Sequence, residues 1–424
     1  MNNIDVKGVI LVKRLDPGKD ESLDELEELA HSAGYEVLDR VIQRRSPDKS
    51  YGVGRGKAEE IGVLVREKKP EKVVFDEKLN AVQIYNLSKI CKVEVIDRFN
   101  LILEIFASRA KTREAKLQVE LAQLVYERPK ARMKVTMAKR GEQPGFKGLG
   151  KYAADIYESE ITGHIAKIEA ELEIIRKRQH NTRKRRKDRG FNLVALAGYT
   201  NAGKSTLMNT LVGESVVTRD QLFTTLVPTT RLLEVGERKV LLTDTVGFIR
   251  QLPHFMVEAF RSTLEEIYLA DIIILVVDIS EPAADIVEKL VTCHDTMWGE
   301  IGSIPVITAL NKADLVTEEE LEERKQAIVH LAPNPVAISA KTGEGLDGLM
   351  GKIGKFLPRW ASAEVSLPHT EEGISTLSWL YESAIVHHVE YENQRIKVNL
   401  EARESILSQL DSRLARLNNE AVNT

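Results

Sequence analysis

Apolar positions along the first hundred residues switch between two periods. VKGVILV, YEVLDRVI, KVVFD and VEVID are short runs rich in β-branched residues and read as strands. Between them, SLDELEELAHSAG, KAEEIGVLVREKK and LNAVQIYNLSKI carry apolar residues at helical spacing. This alternation predicts an α/β domain built on a largely parallel sheet. From Arg109 the pattern becomes purely helical. Leu117, Leu121 and Leu124 fall on one face of a first helix, which Pro129 is expected to end or kink. Ile161, Ile165, Ile168, Leu172 and Ile175 follow the spacing of a seam on a second long helix. GEQPGFKGLG (Gly141–Gly150) lies between the two and is too rich in glycine for regular structure. Strand and helix alternate again from NLVALAG to about Pro358. The tail from about Ser366 reads as a helix, a hairpin-like pair of strands and a final helix.

Length and composition narrow the class. A chain of 424 residues is long enough for about three ordinary domains. Hydrophobic content of 43% with 29% charged residues is that of a soluble globular protein. Cys91 and Cys293 are too few for a disulfide framework and fit a reducing cytoplasm. The opening apolar run, Val9 to Val12, reads as a strand rather than a signal peptide. Even the longest run, Ile272 to Val277, falls far short of the ~20 residues that span a bilayer. A cytoplasmic protein with no membrane span is expected, and a monomer. Charge is spread unevenly. The whole chain sums to −4, yet Arg109 to Arg189 holds 22 Lys/Arg against 11 Asp/Glu. A positive middle in an otherwise acidic chain points to a local polyanion contact.

Candidate chemistry is concentrated after that middle. Gly198-Tyr199-Thr200-Asn201-Ala202-Gly203-Lys204-Ser205 is GxxxxGKS, placed between an apolar strand and a helix. Glycines let the backbone curl so that its N–H groups face phosphates at a helix N-terminus. Lys204 would reach the β- and γ-phosphates, and the Ser205 hydroxyl would ligate Mg²⁺. Asp244-Thr245-Val246-Gly247 follows an apolar strand and is DxxG. There Asp244 would hold the metal through water, and the Gly247 N–H would touch the γ-phosphate. Asn311-Lys312-Ala313-Asp314 is NKxD. Asp314 can accept two hydrogen bonds from a guanine edge, where adenine lacks the matching donors. Lys312 would pack over the base, and Asn311 would brace the loop. Ser339-Ala340-Lys341 would offer its backbone to the guanine oxygen. Phe223-Thr224-Thr225 precedes DxxG. Thr225 is the expected switch threonine that closes on Mg²⁺, ahead of Thr224. Each piece alone is weak; together, in order and each after a strand, they specify a GTP/GDP site.

Position 248 carries phenylalanine, where signalling GTPases place the glutamine that orients the attacking water. The catalytic group is therefore not given by the sequence. Asn201 and Thr225 are candidates, with Arg250 and His254 just beyond DxxG. Hydrolysis should be slow in isolation. Asn201 is similar to the P-loop asparagine of potassium-stimulated GTPases, which adds K⁺ to Mg²⁺ as an expected ion.

GYTNAGKSTL, LFTTLVPTTR, DTVGFIRQLPH and VEAFRSTLEE resemble the G domain of the HflX family of ribosome-associated GTPases. SYGVGRGKAEE (Ser50–Glu60), VVFDEKLNAVQIYNL and VIDRFNLILEIFASRAKTREAKLQVELAQL resemble its N-terminal part. The likeness covers about residues 20 to 360 well and the tail loosely. It implies binding to the large ribosomal subunit and its RNA, and GTP-dependent splitting of stalled or idle ribosomes. One segment departs from it, since GEQPGFKGLG stands where the family suggests something similar to GTRGPGE. The expected fold class is α/β: a P-loop GTPase domain (190–358) preceded by an α/β domain (1–108) with a long helical hairpin bearing a basic loop (109–189), and followed by a small α+β C-terminal domain (359–424).

The residues of the middle support RNA on their own terms. Arg128, Lys130, Arg132, Lys134, Lys139, Arg140, Lys147 and Lys151 flank or occupy the glycine loop, with Glu142 the one opposing charge between Arg128 and Lys151. A second basic tract runs from Arg176 to Arg189, and a solvated helix face is the alternative there. YGVGRGK (Tyr51–Lys57) could cradle a second nucleotide or make a tight strand–helix turn, and the turn is the simpler account. His387 and His388 read as strand-surface residues. Three functional classes remain: an RNA-activated GTPase acting on ribosomes, a GTP-gated RNA- or protein-binding switch with incidental hydrolysis, and a trafficking GTPase. The third is disfavoured by the missing glutamine, the absence of a CaaX ending and the basic helical arm.

Overall fold

The computed structural model describes residues 7–17, 22–140, 149–188, 191–213, 223, 228–250, 256, 261–358, 360–392 and 394–422. It divides into two compact units, of residues 1–174, 219–227 and 253–261, and of residues 175–218, 228–252 and 262–424.

In the first unit β1 (Lys7–Leu15), α1 (Asp24–Ser32), β2 (Tyr35–Arg44), α2 (Arg55–Lys68), β3 (Lys72–Phe75), α3 (Ala81–Cys91), β4 (Glu94–Asp97) and α4 (Arg98–Arg109) follow one another. The four strands make a wholly parallel sheet in the order β2-β1-β3-β4. Central β1 is buried on both faces from Gly8 to Lys13, which explains its unbroken apolar run. Ile10, Val12, Val73, Phe75 and Val95 of the sheet close a core with Ile61 of α2 and Leu87 of α3. Helix starts are capped as the sequence allows. Asn80 and Gln83 form a reciprocal capping box on α3, and the Asp97 carboxylate accepts the Asn100 amide at the start of α4. The YGVGRGK stretch joins β2 to α2, with Gly52 in the left-handed region at φ +77°.

The two long helices are α5 (Arg113–Arg140) and α6 (Leu149–Asp188). Ile161 and Ile165 pack against Leu121, Leu124 and Val125, so the two apolar stripes read from the sequence do meet. Arg113 and Glu171 join them in a bidentate pair at 2.8 and 2.9 Å. Tyr126 donates its hydroxyl to the buried Asp97, fixing α5 to the end of β4. Helix α5 runs on through Pro129, so of the two expectations, an end or a kink, the end is overturned. Proline costs the helix one N–H donor, a local loss that leaves the rest of its ladder in place. The loop at 141–148 lies outside the described residues.

The second unit contains β5 (Asn192–Gly198), α7 (Lys204–Val212), β6 (Thr229–Val235), β7 (Arg238–Asp244), α8 (Arg261–Tyr268), β8 (Ile272–Asp278), α9 (Ala283–Ile301), β9 (Val306–Asn311), α10 (Glu318–Ala327), β10 (Val336–Ala337) and α11 (Leu346–Phe356). Its six-stranded sheet runs β10-β9-β8-β5-β7-β6, parallel except for edge strand β6. Ligands in such sheets bind beyond the carboxyl ends of the central strands. A smaller antiparallel sheet follows, formed by β11 (Ala361–Pro368), β12 (Ile385–Glu392) and β13 (Arg395–Ala402), with α12 (Glu371–Ser383) and α13 (Glu404–Val422). Alternation in β13 sends Ile396, Val398, Leu400 and Ala402 into the core with Leu380 and Ile406. Strand β11 was not foreseen, because ASAEVSLP lacks a run of β-branched residues. His387 and His388 are exposed on β12, as expected.

Candidate functional site

The carboxyl end of β5 is where the chain turns sharply. Gly198 has φ +144°, and a Cβ there would stand 2.3 Å from the Val276 carbonyl of neighbouring β8. Gly203 has φ +94°, and a Cβ there would stand 2.2 Å from the Asn311 amide nitrogen. No other residue type fits either position. Lys204 opens α7 and is buried, donating to the carbonyls of Gly198 (3.0 Å) and Tyr199 (2.7 Å). Burial pushes its ammonium below the usual lysine range, and the Asp244 carboxylate pulls the other way. Thr200 and Ala202 are buried beside it, and Asn201 is exposed with φ +61°. That left-handed geometry is one asparagine tolerates.

Ser205 donates to Asp244 at 2.6 Å, so the hydroxyl and the carboxylate that closes β7 share one corner. An alcohol and a carboxylate oxygen are hard donors that suit Mg²⁺. Thr245 is anchored on the Leu196 carbonyl (2.7 Å), and Val246 is buried. Gly247 lies against the lysine: a Cβ there would meet Lys204 Nζ at 2.8 Å and Thr200 Cα at 3.0 Å.

Asn311 joins three of the elements. Its amide donates to the Ala202 carbonyl and its oxygen accepts the Ala340 amide, both at 2.8 Å. Bracing was its expected role, and the contacts are of that kind. Lys312 has φ +64° and pairs with Asp278 at 2.5 Å. The Ala313 amide donates to Ile338, and Asp314 is exposed on the following single turn of 3₁₀ helix. Ser339 is fully buried and Lys341 exposed, while the Ala340 carbonyl accepts Thr210 Oγ1 at 2.7 Å. The P-loop, DxxG, NKxD and SAK elements thus come together at one end of one sheet.

Phe223 is grouped with the first unit, where its buried ring stands edge-on to Phe106 of α4 at 4.6 Å between centroids. Thr224, Thr225 and His254 lie outside the described residues, as does Lys147. Phe248 is 2% exposed, a buried anchor whose backbone pairs with the P-loop. The Arg250 guanidinium pairs with Glu288 and, at 3.9 Å, with Asp285 of α9. Sequence reasoning placed Tyr199 in the P-loop but gave no role to its side chain, whose hydroxyl accepts the Arg250 amide at 2.6 Å and whose ring lies 5.0 Å from Lys289 Nζ. Nothing local signals a contact spanning 51 residues.

The parallel sheet, the glycine turn after β5 and the buried lysine that opens α7 make the second unit a P-loop nucleotide-binding domain. Residues 193–312 match the family described as "50S ribosome-binding GTPase". Residues 20–107 match "GTP-binding GTPase N-terminal", 109–186 "GTP-binding GTPase Middle Region", and 325–423 "HflX C-terminal domain". GTPase HflX of Thermococcus kodakarensis is 44% identical over 379 residues, covering 87% of this chain and 85% of that protein. GTPase HflX of Methanocaldococcus jannaschii is 39% identical over 415 residues, covering 97% and 100%. Among solved structures, the complex of SsGBP with GDP matches 82% of this chain and 98% of that one, at a TM-score of 0.50 and 27% identity. The chain belongs to the HflX family of GTPases: it binds GTP and hydrolyses it. Among the described residues, no helix is long and apolar enough to cross a membrane.

Proposed function

We propose that this GTPase binds the large ribosomal subunit through its long helices and uses the GTP cycle to split stalled or idle ribosomes in the cytoplasm. The observation that carries the reading is the pairing of a guanine-nucleotide site with two long helices, α5 and α6, whose stretch of chain is strongly basic. Such charge neutralises phosphates and releases counterions, which suits ribosomal RNA. The description of the family that residues 193–312 match, "50S ribosome-binding GTPase", supports the same partner.

Within the site, Lys204 holds the β- and γ-phosphates, and the Gly247 amide serves the γ-phosphate. Ser205 and Thr225 hold Mg²⁺, with Asp244 acting through water. Asp314 reads the guanine edge, Lys312 covers the base, and Ser339-Ala340-Lys341 faces the guanine oxygen. Mg²⁺, when bound with the nucleotide, neutralises charge on the phosphate oxygens. Phe248 cannot orient water, so the transferring phosphate needs charge from elsewhere. Asn201 is exposed within the P-loop and offers an amide oxygen for K⁺. Its left-handed backbone gives a second reason for asparagine there, and alanine would add strain of about 1–2 kcal/mol. Glycine removes the amide without that strain.

One experiment addresses both the subunit and the cation. GTP turnover is measured in K⁺ and in Na⁺ at equal ionic strength, with and without large ribosomal subunits. Subunits should raise the rate by at least tenfold, K⁺ should exceed Na⁺, and Asn201→Gly should remove the K⁺ advantage. A rate indifferent to subunits would leave a binding switch with incidental hydrolysis; equal rates in both salts would rule out the cation.

A further inference from the structure

Residues 247–250 are fastened to the P-loop by contacts that have no role in holding phosphate. The Phe248 amide donates to the Gly198 carbonyl (3.0 Å), and the Phe248 carbonyl accepts the Thr200 amide (2.8 Å), forming a parallel bridge. Two residues on, the Arg250 amide donates to Tyr199 Oη at 2.6 Å. The Arg250 guanidinium is held in turn by Glu288 and Asp285 on α9. Lys289, on the next position of α9, stands over the Tyr199 ring at 5.0 Å and is itself paired with Glu281 at 2.5 Å. The tyrosine ring is thus clamped from one side while its hydroxyl holds the switch backbone.

This fastening has a consequence for the ligand. It lays Gly247 against Lys204, with the position of a Cβ only 2.8 Å from Nζ. A phosphate oxygen held by a lysine comes to about 2.7–2.9 Å from the same nitrogen. The switch backbone and a third phosphate therefore compete for one side of Lys204.

We propose that Tyr199 is a positioning residue that sets the preference between guanosine di- and triphosphate. With Arg250 and Glu288 it latches residues 247–250 over the P-loop, and a triphosphate has to displace that latch where a diphosphate does not. The inference rests on Lys204 serving the phosphates and is independent of any ribosomal partner.

The test uses the full chain and two variants, Tyr199→Phe and Glu288→Gln, with equilibrium binding of GDP and of a non-hydrolysable GTP analogue. Phenylalanine keeps the ring and loses the hydroxyl; Glu288 is half exposed and far from the P-loop in sequence. Each variant should bind the analogue about fivefold more tightly relative to GDP, the worth of one hydrogen bond. A merely structural role would change both affinities alike, and an unmoved ratio in both variants overturns the proposal. Lys204→Ala separates the two levels of the argument. If it leaves both nucleotides bound, the phosphate assignment itself fails; if it abolishes binding while the ratio in the variants stays fixed, only the latch fails.

Discussion

Asp314→Asn should lose GTP and acquire xanthosine triphosphate. The carboxylate stands exposed on the turn that leaves β9, with Lys312 in a left-handed conformation just before it and tied to Asp278. An ionised acceptor facing two guanine donors makes two charge-assisted hydrogen bonds, each worth about 1.5–3 kcal/mol. Asparagine has nearly the same shape but presents a donor where the carboxylate accepts. One bond is therefore replaced by a donor–donor clash and the other loses its charge assistance, and GTP affinity should fall by about 10²–10⁴-fold. Xanthine carries a carbonyl where guanine carries an amine, so the new amide donor suits it. Because Asp314 is exposed and packs in no core, the fold should be unaffected, which a thermal unfolding midpoint checks. Direct titration with GTP, ATP and xanthosine triphosphate reads the result. Equal binding of GTP and ATP by the unmodified chain would remove the guanine assignment altogether.

Removing the charge of Lys139, Arg140, Lys147 and Lys151 together should strip most of the salt dependence from large-subunit binding. Lys139 and Arg140 lie at the end of α5 and Lys151 at the start of α6, with Lys147 between the two helices in sequence. Each phosphate contact contributes about 0.7–0.9 to the slope of log affinity against log salt. Four lost contacts should flatten that slope by about three units, and affinity should fall by orders of magnitude at low salt. Substitution by glutamine preserves length and helix propensity while removing charge. An unchanged slope would point to protein–protein contacts in place of RNA.

Legibility in the sequence followed the range of each contact. The P-loop and NKxD are short runs whose function depends on consecutive backbone geometry, so their residues could be numbered before any coordinates. Their convergence followed from one rule, that parallel strands deliver their ends to one edge. The apolar seams of α5 and α6 were legible for the same reason: Ile161 and Ile165 repeat at a helical period, and Leu121 and Leu124 answer them. Pro129 does not end α5, because the N–H donor it removes is a local loss within a helix of 28 residues. The contact of Phe223 with Phe106, more than a hundred residues away, left no local signal. The contacts joining Tyr199, Arg250 and Glu288 were out of reach too, since a hydroxyl, an amide and a carboxylate from three separate elements leave no pattern along the chain.

Co-sedimentation of the unmodified chain with purified large ribosomal subunits, in a non-hydrolysable GTP analogue and in GDP at fixed salt, decides whether the nucleotide gates ribosome binding. The expected result is that the chain pellets with large subunits in the analogue, releases them in GDP, and ignores small subunits in both. Equal pelleting in the two nucleotides, or none in either, would contradict a GTP-gated ribosomal role.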